Sequence, residues 1–83
     1  MQVTIYSKPN CPFCDRAKEW FRDYGIPFVV YDVTNKEYLS SLKERVPDVK
    51  TVPQIFLDNE HIGGYTELLD RQYYVWDRYR NGT

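Results

Sequence analysis

The chain has 83 residues, with 11 Lys and Arg set against 12 Asp and Glu, for a formal net charge of −1. That length fits a single domain, expected to span residues 1–83 and to bury roughly 60–65% of the surface its unfolded chain would expose. Near-neutral charge without a basic run argues against nucleic acid as a partner, and no apolar stretch is long enough to span a membrane.

Taken in order, Val3 to Tyr6 is short, β-branched and aromatic, which predicts a buried strand. Met1-Gln2-Val3-Thr4 lacks the charged and apolar regions of a secretory signal, so a cytoplasmic, reducing location is expected. The only two cysteines follow in Cys11-Pro12-Phe13-Cys14, spaced too tightly to staple distant segments. In a reducing compartment they point to reactive chemistry rather than to a structural disulfide.

Beyond them Ala17, Trp20, Phe21 and Tyr24 recur at helical spacing, and Gly25 and Pro27 end the pattern. Cys11 thus falls at the predicted helix N-cap, with Pro12 at the first helical position and Cys14 one turn on. A sulfur at an N-cap faces unpaired backbone N–H groups and the positive end of the helix dipole, and both favour thiolate over thiol. Thiolate is the nucleophile in disulfide exchange, and such placements lower a cysteine pKa from about 8.5 to roughly 3.5–7.5. Cys11 is therefore read as the attacking sulfur. Cys14, covered behind the first turn, is read as the residue that resolves a mixed disulfide formed on Cys11.

Phe28 to Val33 is nearly all apolar, which predicts a strand covered on both faces. With the first strand and the helix between them it makes a βαβ unit, so the two strands should be parallel. Thr34 or Asn35 caps a second predicted helix, roughly Lys36 to Arg45, with Tyr38, Leu39 and Leu42 on its apolar side and Pro47 ending it. Val49-Lys50-Thr51 is a connecting loop that leads to Val52-Pro53. Residues 54–57 and 60–63 then flank Asp58-Asn59, a pair suited to a tight hairpin turn. Gly63-Gly64 breaks the pattern. Thr66 is predicted to cap a last helix running to about Arg80, with Leu68, Leu69, Tyr73 and Trp76 near helical spacing. The order β-α-β-α-β-β-α predicts an α/β thioredoxin fold, a four-stranded mixed sheet flanked by three helices.

Two cysteines fall short of the four ligands a zinc site needs, and His61, across the predicted hairpin, is the only other strong soft ligand. No metal site is assigned. His61 is read as a partly exposed strand residue. Tyr65, Tyr73, Tyr74, Trp76 and Tyr79 crowd the last helix and are read mostly as packing.

Three motifs resemble those of the classical dithiol glutaredoxins, and the resemblance covers nearly the whole chain. They are Ile5-Tyr6-Ser7-Lys8 with Cys11-Pro12-Phe13-Cys14, then Thr51-Val52-Pro53-Gln54-Ile55-Phe56, then Gly63-Gly64. Short members of that family occur in bacteria and their viruses. The resemblance implies a glutathione-dependent thiol–disulfide oxidoreductase with Cys11 and Cys14 as the catalytic pair. It implies no tightly bound cofactor, glutathione as reducing co-substrate, and a monomer. It also implies a cis Val52–Pro53 bond lying against the cysteines. The Val52 N–H and C=O would then pair the cysteine portion of glutathione, as an added strand pairs a sheet edge.

By the same resemblance, Lys8 and Lys50 face one carboxylate of the tripeptide. Gly64, Tyr65 and Thr66 offer backbone N–H groups to the other, and Thr51 contributes through its backbone. Phe13 stands where the family usually has Tyr, keeping the ring and losing the hydroxyl. Tyr65-Thr66-Glu67 departs from the usual cysteine or serine followed by Asp, which leaves Thr66 without a charge for the γ-glutamyl amine. Tyr65 borders the groove as a gate or a protein contact. The implied protein partners are disulfide-containing or glutathionylated proteins, with ribonucleotide reductase among them. Two other readings stay open. One is a glutathione-independent redoxin recycled by a flavoprotein thioredoxin reductase and feeding ribonucleotide reductase; the other is a glutathione-bridged iron–sulfur carrier.

Overall fold

The structure is a computed structural model in which residues 1–82 are described. Val3–Ser7 forms β1, and all five of its residues are buried. Side chains alternate along a strand, so Val3 and Ile5 point to one core while Tyr6 points to another. The chain continues through α1 (Pro12–Asp23), β2 (Phe28–Asp32), α2 (Lys36–Arg45), β3 (Gln54–Leu57), β4 (Glu60–Gly63), α3 (Tyr65–Asp70) and α4 (Gln72–Arg80). The strands lie in the order β2-β1-β3-β4. β1 runs parallel to β2 and antiparallel to β3, and β3 pairs antiparallel with β4. This is the predicted thioredoxin fold, with one helix more than expected.

Local signals account for most boundaries. α1 starts with Cys11 at the N-cap (φ −120°, ψ 100°) and Pro12 in the first turn, and Gly25 takes φ +68° just past its end. Of the two candidate caps for α2, Asn35 serves: its side-chain oxygen accepts the Glu37 N–H at 2.9 Å. The β3–β4 hairpin turns at Asp58, which adopts φ +53°. Asp and Asn tolerate that left-handed region better than most residues.

Two clusters sandwich the sheet. Under α1, α3 and α4 lie Ile5, Phe21, Ile55, Leu57, Leu68 and Val75 with their neighbours, all buried. Under α2 lie, among the described residues, only Tyr6, Leu42 and Phe56, edged by Val46, Val49 and Val52. A fully buried large apolar side chain stabilises by about 1.5–3 kcal/mol. The first cluster therefore carries most of the apolar driving force.

Three expectations need correction. β2 is an edge strand, with Val29 and Val30 exposed, because β1 and not β2 takes the position between two neighbours. Its apolar run reflects β propensity rather than burial on both faces. The last helix is two helices, interrupted at Arg71 (φ −113°, ψ 20°), and its N-cap is Gly64 rather than Thr66. Within it Val75 is fully buried, seven residues on from Leu68, whereas Tyr73 is 85% exposed and Leu69 is exposed as well.

Polar side chains tie α4 to the hairpin. The Tyr74 hydroxyl donates to Glu60 at 2.5 Å, and Arg78 reaches both Glu60 (2.7 Å) and Asp58 (3.2 Å). No helix among the described residues is long and apolar enough to cross a membrane.

Candidate active site

Cys11 and Cys14 are joined in a disulfide, so the structure represents the oxidised form. The two sulfurs are not equivalent. Cys14 is completely buried inside the first turn of α1, while Cys11 retains 6% exposure at the helix mouth. The Cys14 backbone N–H donates to Cys11 Sγ at 3.2 Å, the bond expected of a side chain at an N-cap. Cys11 Sγ also lies 3.7 Å from the Val52 carbonyl oxygen. The Cys14 N–H and the positive end of the helix dipole face Cys11 Sγ. Both stabilise an anion there.

Val52–Pro53 is cis, as the resemblance implied. Pro53 is buried beneath the loop, Val52 half-buried and Thr51 exposed. Two clefts meet at Thr51 and Val52. One, of about 230 Å³, runs between Phe13, Pro53, Tyr65 and Thr66, with Gly64 and Glu67 at its end. Phe13 is 53% exposed and stacks on Tyr65, ring centroids 6.2 Å apart at 29°. The other, of about 190 Å³, carries Lys8, Lys43 and Lys50 around a floor that includes Leu39, Leu42 and Val49. All nine candidate binding residues therefore line one cleft or the other. Neither lysine cleft residue nor Lys43 has a carboxylate within 4.0 Å among the described residues.

Residues 3–62 match the family model described as glutaredoxin. The chain belongs to the glutaredoxin family. It is 36% identical over 66 residues to glutaredoxin 3 of Escherichia coli K12, covering 80% of each chain. Reduced E. coli glutaredoxin superposes with a TM-score of 0.77 at 31% identity, covering 93% of this chain and 99% of that one. Glutaredoxin 1 from Francisella tularensis, solved as a complex with cacodylate, gives 0.74 at 34% identity over 92% of this chain and 96% of that one. Other curated relatives are longer. The chain spans 27% of a hybrid peroxiredoxin of Haemophilus influenzae and 53% of glutaredoxin-C4 of Arabidopsis thaliana.

Sequence reasoning missed three features around the cysteines of this glutaredoxin. Lys43 joins Lys8 and Lys50 because α2 packs over the loop that follows it; the lysine itself looks like any helix-surface residue. Glu67 accepts the Gly64 N–H at 2.7 Å, so one of the three backbone donors assigned to an anion already has a partner. The signal was available, since a Glu three residues after an N-cap is half of a capping box. It was hidden by placing the cap at Thr66. The third is the pair Gln54 and His61, whose side chains meet at 2.7 Å across the hairpin.

Proposed function

We propose that this glutaredoxin is a glutathione-dependent thiol–disulfide oxidoreductase that reduces glutathione mixed disulfides and protein disulfides. One observation carries the reading: an N-cap sulfur, Cys11 Sγ, lies 3.7 Å from the Val52 carbonyl where two clefts meet. An extended tripeptide laid across Val52 would bring its central sulfur to Cys11. Its ends would reach Lys8 and Lys50 on one side and the Phe13–Tyr65 wall on the other.

With a glutathionylated substrate, the Cys11 thiolate attacks the glutathione sulfur. A Cys11–glutathione disulfide forms and the substrate leaves as thiolate, taking a proton from solvent. A second glutathione thiolate then attacks the bound glutathione sulfur, releasing glutathione disulfide and restoring the Cys11 thiolate. With a protein disulfide, Cys11 forms a mixed disulfide to one substrate sulfur and expels the other. Cys14, deprotonated, attacks Cys11 Sγ, frees the second substrate thiol and leaves the Cys11–Cys14 disulfide. Two glutathione molecules return it to the dithiol and leave as one glutathione disulfide. Cys14 needs no path to solvent for this role, because its target is the neighbouring sulfur. A cytoplasmic, reducing location keeps the cycle running, and ribonucleotide reductase is one candidate protein substrate.

The test is turnover of the mixed disulfide of glutathione and hydroxyethyl thiol, with glutathione and glutathione reductase as the electron supply. The wild type should turn over and Cys11→Ser should not. Cys14→Ser should keep this activity while losing reduction of a protein disulfide. Equal loss in both single variants would overturn the division of labour. Reduction by thioredoxin reductase alone would favour the glutathione-independent redoxin.

A further inference from the structure

His61 has no part in the exchange chemistry, yet its ring is coupled to the loop that forms the substrate slot. We propose that His61 and Gln54 form a positioning relay that sets the Thr51–Val52 backbone for glutathione. The inference rests on the glutathione reading above and assigns residues that determine affinity rather than chemistry.

Gln54 opens β3 and is buried. Its Nε2 donates to the Thr51 carbonyl at 2.9 Å and lies 3.5 Å from Thr51 Oγ1. Its Oε1 lies 2.7 Å from His61 Nε2. A carbonyl oxygen can only accept, so the amide must turn its NH₂ towards Thr51 and its oxygen towards His61. The amide oxygen can also only accept. The proton of a neutral His61 therefore sits on Nε2, and the direction runs from His61 through Gln54 to Thr51.

The relay has a rigid end and a soft end. His61 stands opposite Phe56 in the β3–β4 ladder and stacks on its ring, centroids 4.9 Å apart at 26°. At the other end, the loop between α2 and β3 has no ladder to hold it. Among the described residues its backbone bonds stop at the Val49 N–H to the Val46 carbonyl. The Gln54 amide supplies the polar anchor at Thr51, one residue before the Val52 carbonyl that faces Cys11. A buried amide is costly unless both halves are bonded. Without His61, the Gln54 oxygen loses its partner and the amide is held at its Thr51 end alone.

Protonation does not break the relay. His61 is exposed overall, but partial desolvation of its ring holds its pKa below the ordinary value, while Glu67 and Asp48 pull it upwards. The Arg45 guanidinium lies 4.3 Å from the centroid of the same Phe56 ring. A second proton would go to Nδ1 and leave the Nε2–H donor in place. Affinity should therefore be insensitive to the His61 titration.

Two variants separate a positioning role from a packing role. His61→Phe keeps the ring and removes the donor, whereas His61→Gln restores a donor without the ring. His61→Phe should raise KM for the glutathione mixed disulfide by about 2–10-fold, the worth of one hydrogen bond. Its kcat and Cys11 thiolate titration should match the wild type, and His61→Gln should recover most of the lost affinity. A wild-type KM in His61→Phe, or a loss of kcat that His61→Gln does not repair, would overturn the proposal. The second readout needs no glutathione. The Thr51 and Val52 amide resonances of the reduced protein should move in His61→Phe and return in His61→Gln. Unmoved resonances would overturn the relay even if the wild type fails to use glutathione, a failure that belongs to the functional reading alone.

Discussion

On one face of the sheet, eleven buried apolar residues close beneath α1, α3 and α4; on the other, three lie beneath α2 among the described residues. The larger face is an apolar core. The smaller one mixes rings with polar partners: the Tyr6 hydroxyl bonds Ser41 Oγ at 2.8 Å, and Gln54 bonds both His61 and Thr51. The difference follows from what each face supports. The larger anchors α1, whose first turn must hold two sulfurs at a set separation. The smaller supports the loop from Val49 to Pro53, which carries the backbone that faces Cys11. Dispersion and burial have no direction, so they stabilise without specifying where a carbonyl points. Hydrogen bonds have direction, and the smaller face uses them near the slot.

The two faces should differ most in what their cores contribute to stability. Phe21→Ala removes a ring with no exposure from the larger cluster and should cost about 3–5 kcal/mol in denaturant unfolding. Leu42→Ala on the smaller face should fall near about 2 kcal/mol, because its half-exposed neighbours can close around the space. Equal losses would mean the two faces share the load. A smaller effect sharpens the contrast: Tyr6→Phe removes only the bond to Ser41 and should cost about 0.5–1.5 kcal/mol.

The smallest effect is a separation in pH. Around the hairpin, the Tyr74 hydroxyl, then Arg71 and Arg78, hold the Glu60 carboxyl below its usual value. The Gln2 backbone N–H does the same for Asp58, helped by Arg78. Unfolded carboxylates take up protons first as pH falls. Their contribution is thus complete above about pH 4.5 and lost as pH drops through the lowered native values. His61 behaves differently because partial desolvation lowers its pKa. The unfolded chain protonates it near pH 6.5 while the native state resists. Stability should begin to decline gently as pH falls through about 6.5, where the carboxylates still contribute fully. In His61→Phe the upper step should vanish and the acid step remain, as followed by thermal unfolding across pH.

What the chain revealed in advance was what local chemistry decides. Cys11, Pro12 and Gly25 mark both ends of α1, Thr34 and Asn35 bracket the start of α2, and Asp58-Asn59 turns the hairpin, each through its own backbone or side-chain preference. The strand order was harder to read at β2, since Phe28-Val29-Val30-Tyr31 looks the same at an edge as at the centre. Exposure of Val29 and Val30 depends on which strand β1 pairs on its other side, a long-range outcome. The break at Arg71 was likewise invisible in apolar spacing. It coincides with the Arg71 guanidinium reaching Glu60 at 3.2 Å across the hairpin. In the site, the cysteines and Pro53 were legible through their motifs, while Gln54 and His61 needed the hairpin register to bring them together. Lys43 needed the packing of α2.

The proposed chemistry depends on the state of one sulfur, and titrating the reduced protein tests it directly. Thiolate absorbance of Cys14→Ser, in which Cys11 is the sole cysteine, should rise with a midpoint in the range of roughly 3.5–7.5 expected for a sulfur at a helix N-terminus. A midpoint near about 8.5, the value of free cysteine, would contradict it.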